Sequence, residues 1–201
     1  DGTHNNLYIS SACPTVVEYV CKFHPSFTPA VTAMYSPLAA HARELKDRYG
    51  SDLGIIFIGP CISKKRESDT SRDLIDVAID FHDLRIWFES AGIDVYAEIP
   101  GDDTAFVPAR AGEGTLYPMD GGMISALNQY PLPPGTSCMA FSGLDEIGSA
   151  LEGLDREKPA APVFLELLAC PGGCINGPRS HTRTGTVGKR LSIRSYADTA
   201  P

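Results

Sequence analysis

The sequence predicts an α/β fold, with parallel-type sheets flanked by helices and a binding site at the C-terminal ends of strands. Three observations carry this reading. Leu53 to Ile58 and Val163 to Leu168 are short apolar runs of the kind found in parallel strands covered on both faces. Helical periodicity with capping signals occurs between such runs. Three of the strands also end alike: Leu7 to Ser11 runs into Cys13-Pro14, Leu53 to Ile58 into Gly59-Pro60-Cys61, and Val163 to Leu168 into Cys170-Pro171-Gly172-Gly173-Cys174. Strand ends in such a sheet converge on the crevice where ligands bind, so four cysteines distant in sequence meet at one point.

After the first strand, Pro14 stands where proline is favoured in the first turn of a helix, which Thr15 to Lys22 continues until His24-Pro25. Cys13 then lies at a helix N-terminus, where free amides and the dipole favour a thiolate. Cys21, on the helix itself, reads as a small core residue. Ser36 caps a second helix with Leu38, Ala42, Leu45 and Tyr49 at helical spacing and Gly50 as its stop; His41 on it reads as a surface or boundary histidine. Beyond Cys61, Lys64 and Glu67 are either a solvated charged turn or an ammonium aimed at an anionic centre with a carboxylate to pair a cation. Leu74 to Ile79 is a strand. Asp80 with Asp83 opens the next helix in capping-box style, the stripe Phe81, Leu84, Trp87 and Phe88 reads as core, and Gly92 ends it. Pro100 to Pro108 is a polar loop. Gly112 to Met123, with its Gly121-Gly122 pair, implies close backbone approach to a neighbour, without the strand and lysine of a phosphate loop. Ser137 to Phe141 is a strand with Cys138 as core, and Ser142 caps a helix over Leu144 to Leu154.

The 201 residues can bury a real core in one domain. Lysine and arginine number 17 against 25 acids, a net charge of −8 that gives no reason to expect a nucleic-acid partner. The local exception is 178–201, where Arg179, Arg183, Lys189, Arg190 and Arg194 face Asp198; this segment reads as a basic tail or linker. Nothing resembles a signal peptide, and no apolar run approaches the ~18 residues of a membrane span, so no membrane partner is expected. Six cysteines without short regular spacing fit metal or redox use in a reducing compartment, which places the protein in the cytoplasm.

Zinc accepts four thiolates, but its structural sites usually join two close pairs. Here only Cys170 and Cys174 form a close pair, and Cys13 and Cys61 arrive singly. Soft thiolates also suit iron–sulfur clusters. Spacing alone favours the cluster and leaves zinc open.

Ser11-Ala12-Cys13-Pro14, Pro60-Cys61-Ile62-Ser63-Lys64-Lys65-Arg66-Glu67 and Glu166-Leu167-Leu168-Ala169-Cys170-Pro171-Gly172-Gly173-Cys174 resemble, in order, the three signature motifs of the FeFe hydrogenase catalytic (H-cluster) domain. Phe23-His24-Pro25, Ser36-Pro37, Asp80 to Leu84 and Tyr117 to Gly122 extend the likeness, which covers most of Leu7 to Gly177. The resemblance implies an H-cluster-binding domain over 1–177, in which Cys13, Cys61, Cys170 and Cys174 hold a 4Fe-4S cluster and Cys174 also bridges to a two-iron centre. It implies that Lys64 hydrogen-bonds a cyanide of that centre, that Tyr117 and Pro60 line its pocket, and that Thr32 sits at a proton-relay hydroxyl. The implied activity is reversible activation of dihydrogen (H2 = 2 H+ + 2 e−), with protons, an electron carrier and maturation proteins as partners.

Departures from the family pattern refine this expectation. Ala12 stands where catalytic members place a relay cysteine, and an alanine cannot titrate. Thr32 is expected to lack a neighbour to receive a proton. Gly59 and Leu168 replace methionines. The combination is similar to the sensory or regulatory branch, which reacts slowly with dihydrogen and often carries a PAS-type signalling domain. The family has far more sequence ahead of the first motif, so an incomplete H-domain is expected, its N-terminal lobe missing or supplied from elsewhere. No ferredoxin-like cysteine cluster is present. The rival from another class is a non-enzymatic 4Fe-4S protein similar to the eukaryotic Nar/Narf relatives, against which Lys64 and the Gly172-Gly173 pair speak.

Overall fold

The computed structural model describes residues 6–99, 101, 106–156, 159–180 and 182–198. In chain order its strands are β1 (Leu7–Ile9), β2 (Ile56–Ile58), β3 (Val77–Ile79), β4 (Ser137–Ser142) and β5 (Val163–Leu168). Its helices are α1 (Pro14–Phe23), α2 (Pro37–Tyr49), α3 (Ile62–Thr70), α4 (Phe81–Ser90), α5 (Gly122–Leu127), α6 (Leu144–Leu151) and α7 (Thr186–Asp198). All the strand pairs are parallel. β5 lies between β1 and β4, and β2 pairs with β3 in a second sheet. This is the α/β architecture of parallel sheets flanked by helices that the sequence predicts.

Local chemistry sets the element boundaries. Pro14 opens α1, and the His24 N–H closes it on the Val20 carbonyl. Ser36 Oγ accepts the Ala39 N–H at 3.2 Å to start α2, and Gly50, at φ 109°, stops it. Asp80 accepts the N–H groups of His82 and Asp83 at 2.8 and 3.0 Å, while Asp83 accepts the Asp80 N–H at 3.1 Å, completing the capping box of α4.

The main core lies around the three-stranded sheet. Ile9, Leu165 and Leu167 pack with Val16 and Val20 of α1 and Ile147 and Leu151 of α6. Each such side chain contributes about 1.5–3 kcal/mol by leaving water. A smaller cluster joins Ala39 and Ala42 of α2 to Ile55, Leu74 and Ile75.

Several expectations change here. The second strand is covered on one face only: Ile55 is buried, but Ile56, Ile58 and Val77 are exposed. The α4 stripe is not core. Phe81 and Trp87 are exposed, Leu84 and Phe88 are half-buried, and the helix has no buried residue. Amphipathic spacing shows which face is apolar without showing what covers it. Cys21 is exposed and Cys138 only half-buried. Ser142 does not cap α6, whose N-cap is Gly143; its hydroxyl accepts the Gly172 N–H at 2.9 Å instead. Of the Pro100 to Pro108 loop, residues 100 and 102–105 lie outside the described residues.

Candidate metal centre

Each cysteine of the three motifs sits where a strand gives way to a turn or helix. Cys13 is the extended residue before α1 (φ −103°, ψ 106°), and Cys61 holds the same place before α3 (φ −113°, ψ 121°). Beyond β5 the chain turns through Gly172 (φ 77°) and Gly173 (φ 101°), and Cys174 begins a short 3-10 turn ending at Asn176. A Cβ on Gly173 would stand 2.5 Å from the Pro118 carbonyl oxygen and 2.7 Å from the Asp120 nitrogen. Gly173 of the cysteine turn thus lies against the Gly112 to Met123 stretch, whereas Gly122 of that stretch packs on its own Leu116 carbonyl, which leaves no room for a Cβ.

Cys13, Cys61 and Cys174 line one cavity of about 670 Å³. Cys170 stands close enough to Cys13 and Cys61 for their charge to act on it. Burial first, then those neighbours, raises its affinity for its proton. Burial pushes the Cys174 thiol up to about 12, with Cys13, Cys61 and Cys170 adding to the shift and Lys64 opposing it. Four thiolates cannot accumulate here without a bound cation to offset them. Among the described residues, no three His, Cys, Asp or Glu side chains close on a point where a single ion would sit.

Lys64 also lines the cavity. Its ammonium donates to Glu67 Oε2 at 2.6 Å and to the Ala12 carbonyl at 3.4 Å, and Ser36 Oγ donates to the other Glu67 oxygen. With side chains 12% and 13% exposed, Lys64 and Glu67 are a sheltered pair rather than a solvated turn. Pro60 and Tyr117 are in the wall. Thr32 lies outside it, beside β1, where its N–H donates to the Ile9 carbonyl at 2.8 Å. Contrary to expectation, Thr32 has a hydroxyl neighbour: Oγ1 donates to Ser11 Oγ at 3.3 Å, which donates to the Met34 carbonyl at 2.8 Å. That chain ends on a carbonyl, which has no proton to pass on.

Further residues complete the cavity, among them one to which the motifs assigned no role. Glu166 is 1% exposed. One of its oxygens accepts the Ile124 N–H at 3.0 Å, and the other has no partner among the described residues. Burial raises its affinity for a proton; backbone N–H groups of α5 oppose this, and the Asp120 carboxylate reinforces it. An acid inside an apolar strand is the signal that could have revealed it. Leu168 and Gly59 line the wall, and a Cβ on Gly59 would come within 2.6 Å of the Phe57 ring. Phe57 thus fills space that a methionine at position 59 would need. His41 lines the mouth. So does the segment beyond Gly177, whose Arg179 guanidinium bonds the Asp80 carboxylate at 2.6 Å.

The family described as "Iron only hydrogenase large subunit, C-terminal domain" matches residues 2–178. The chain belongs to that family. Among hydrogenase relatives, the periplasmic [Fe] hydrogenase large subunit of Nitratidesulfovibrio vulgaris is 26% identical over 235 residues, covering 94% of this chain and 55% of the relative. The NADP-reducing hydrogenase subunit HndD of Solidesulfovibrio fructosivorans is 27% identical over 237 residues, covering 96% and 40%. The chain therefore spans about half the length of these curated relatives. A variant of the [FeFe]-hydrogenase HydA1 from Chlamydomonas reinhardtii superposes with a TM-score of 0.66 at 20% identity, over 94% of this chain and 67% of that one. That likeness shows the shared fold. Membership of the iron-only hydrogenase family implies iron–sulfur cofactors.

Proposed function

We propose that this hydrogenase-family domain holds a 4Fe-4S cluster on Cys13, Cys61, Cys170 and Cys174 and takes a two-iron centre into the adjoining cavity, activating dihydrogen slowly and in a sensory role. The observation that carries this reading is the gathering of Cys13, Cys61 and Cys174 from three strand ends at one cavity, with Cys170 beside them, where Lys64, paired to Glu67, and the buried acid Glu166 also line the wall. The donor set is soft. Thiols that do not close on one point suit a cluster of several irons better than a lone zinc with bonds of about 2.3 Å.

When bound, the cofactor supplies the redox chemistry of dihydrogen; the chain positions, shields and moves protons. Lys64 presents an ammonium to anionic ligands, held in place by Glu67 and the Ala12 carbonyl. Phe57, Pro60, Tyr117 and Leu168 keep water away. Ala12 has no titratable group, so the acid of the cavity that could hold or pass a proton is Glu166, at the oxygen that makes no hydrogen bond among the described residues. Loss of a positioned acid–base group costs about 10²–10⁴ in rate while binding survives, which suits a sensor. An electron carrier or a PAS-type signalling domain completes the system in the cytoplasm.

The test is infrared spectroscopy of protein produced with the maturation proteins, before and after exposure to dihydrogen. Cyanide and carbonyl bands that shift under the gas are the expected result. Iron without those bands would reduce the protein to a 4Fe-4S binder of Nar/Narf type, and zinc without iron would overturn the cluster altogether.

A further inference from the structure

The segment beyond the cysteine turn folds back over the cavity. Ser180, Thr184, Lys189 and Ser192 make one wall polar, with Ser192 Oγ donating back to the Gly188 carbonyl at 3.0 Å, whereas Leu38, Phe57 and Phe81 make another wall apolar. Lys189 donates to Asn176 Oδ1 at 3.1 Å and to Ser180 Oγ at 3.3 Å, both neutral acceptors. It has no carboxylate partner among the described residues. An ammonium has three donors, so one remains for the cavity. Lys64, in the same cavity, is matched by Glu67, and burial favours the neutral form of Glu166. Lys189 is thus a half-buried ammonium on the cavity wall, held by neutral oxygens and with no carboxylate partner among the described residues. An anion held in the cavity would meet this ammonium on its wall.

We propose that Lys189 is a second anion-facing group of the cavity, set on the tail rather than in the motifs, and that it raises the reduction potential of a thiolate-bound cluster held there. The inference rests on the cluster reading above. Reduction adds an electron to an already anionic group, and a nearby cation stabilises the reduced form more than the oxidised one.

The experiment uses the full chain reconstituted with iron and sulfide alone, so that only the four-iron cluster is present, in a redox titration followed by electron paramagnetic resonance. Lys189→Met keeps the stem and removes the charge; its midpoint potential is more negative than that of the wild type, at equal iron per chain. Lys189→Arg restores the wild-type value. Ser180→Ala, which loosens the ammonium without removing it, shifts the midpoint less and in the same direction. A cluster whose potential is the same in wild type, Lys189→Met and Ser180→Ala overturns this inference alone. A chain that takes up no four-iron cluster overturns the cluster reading, and this inference with it.

Discussion

Around β1, β5 and β4, the side chains of Ile9, Leu167 and Ile147 have no exposure at all, whereas on β2 and β3, Ile56, Ile58 and Val77 keep 46%, 38% and 41% of theirs. The cavity lies between these unequal halves. Cys13 and the Cys170–Cys174 turn hang from the closed sheet, while Cys61 and Lys64 hang from the open one. The difference teaches that the position of Cys61 depends less on its own sheet than on the polar ties that reach it. Thr15 and Ser63 share a 2.5 Å hydroxyl bond, Arg66 meets Glu18 at 3.2 Å, and Arg179 spans from the Pro60 carbonyl to Asp80.

The largest effect should come from the closed half. Leu167→Ala costs about 2–5 kcal/mol in urea denaturation, and iron uptake falls with it because the same sheet carries three of the four thiols. Equal loss from Ile58→Ala would break the comparison. Next is Gly173→Ala, at φ 101° with backbone 2.5 Å from the added carbon. Strain of about 1–3 kcal/mol is expected, with iron per chain dropping more than far-ultraviolet dichroism, since the distortion falls at the turn.

A smaller effect sharpens the role of the ties. The Arg179 guanidinium holds the Asp80 carboxyl well below its ordinary value. Because the folded value is depressed, this stabilisation is complete above the unfolded carboxylate value of about 3.9 and fades as pH falls through and below it. Between about pH 6 and pH 3 the melting temperature of the wild type should therefore fall more steeply than that of Asp80→Asn. Amides of β2 and β3 should lose hydrogen-exchange protection in acid before those of β5. Smallest of all, Ile58→Thr should change stability by no more than about 0.5 kcal/mol, as an exposed position allows.

Much of this was legible where the causes are local. The bounds of Val163–Leu168, the Asp80–Asp83 capping box and the Ser36 cap follow from a few adjacent side chains, and the strand-then-cysteine pattern anticipates the gathering of thiols. What stayed hidden depends on packing between distant segments. The α4 stripe shows an apolar face but not that Phe81 and Trp87 stay exposed among the described residues. Ser142 has the chemistry of a cap, yet the incoming Gly172 N–H takes its hydroxyl. The 178–201 segment is polar and weakly periodic in sequence. The place of its residues 178–180 and 182–198 on the cavity depends on partners far back in the chain, Asp80 and the Pro60 carbonyl among them.

The order of strands has a consequence for the life of the nascent chain. β5 is the last strand to leave the ribosome, yet it is the middle of its sheet, and β1 and β4 have no strand to pair with until it slides between them. The same strand brings the last two thiols. Completing the sheet and completing the binding site are one event. A chain stalled before Val163 has two cysteines of the four and no three-stranded sheet, so the four thiols come together only once β5 has been made.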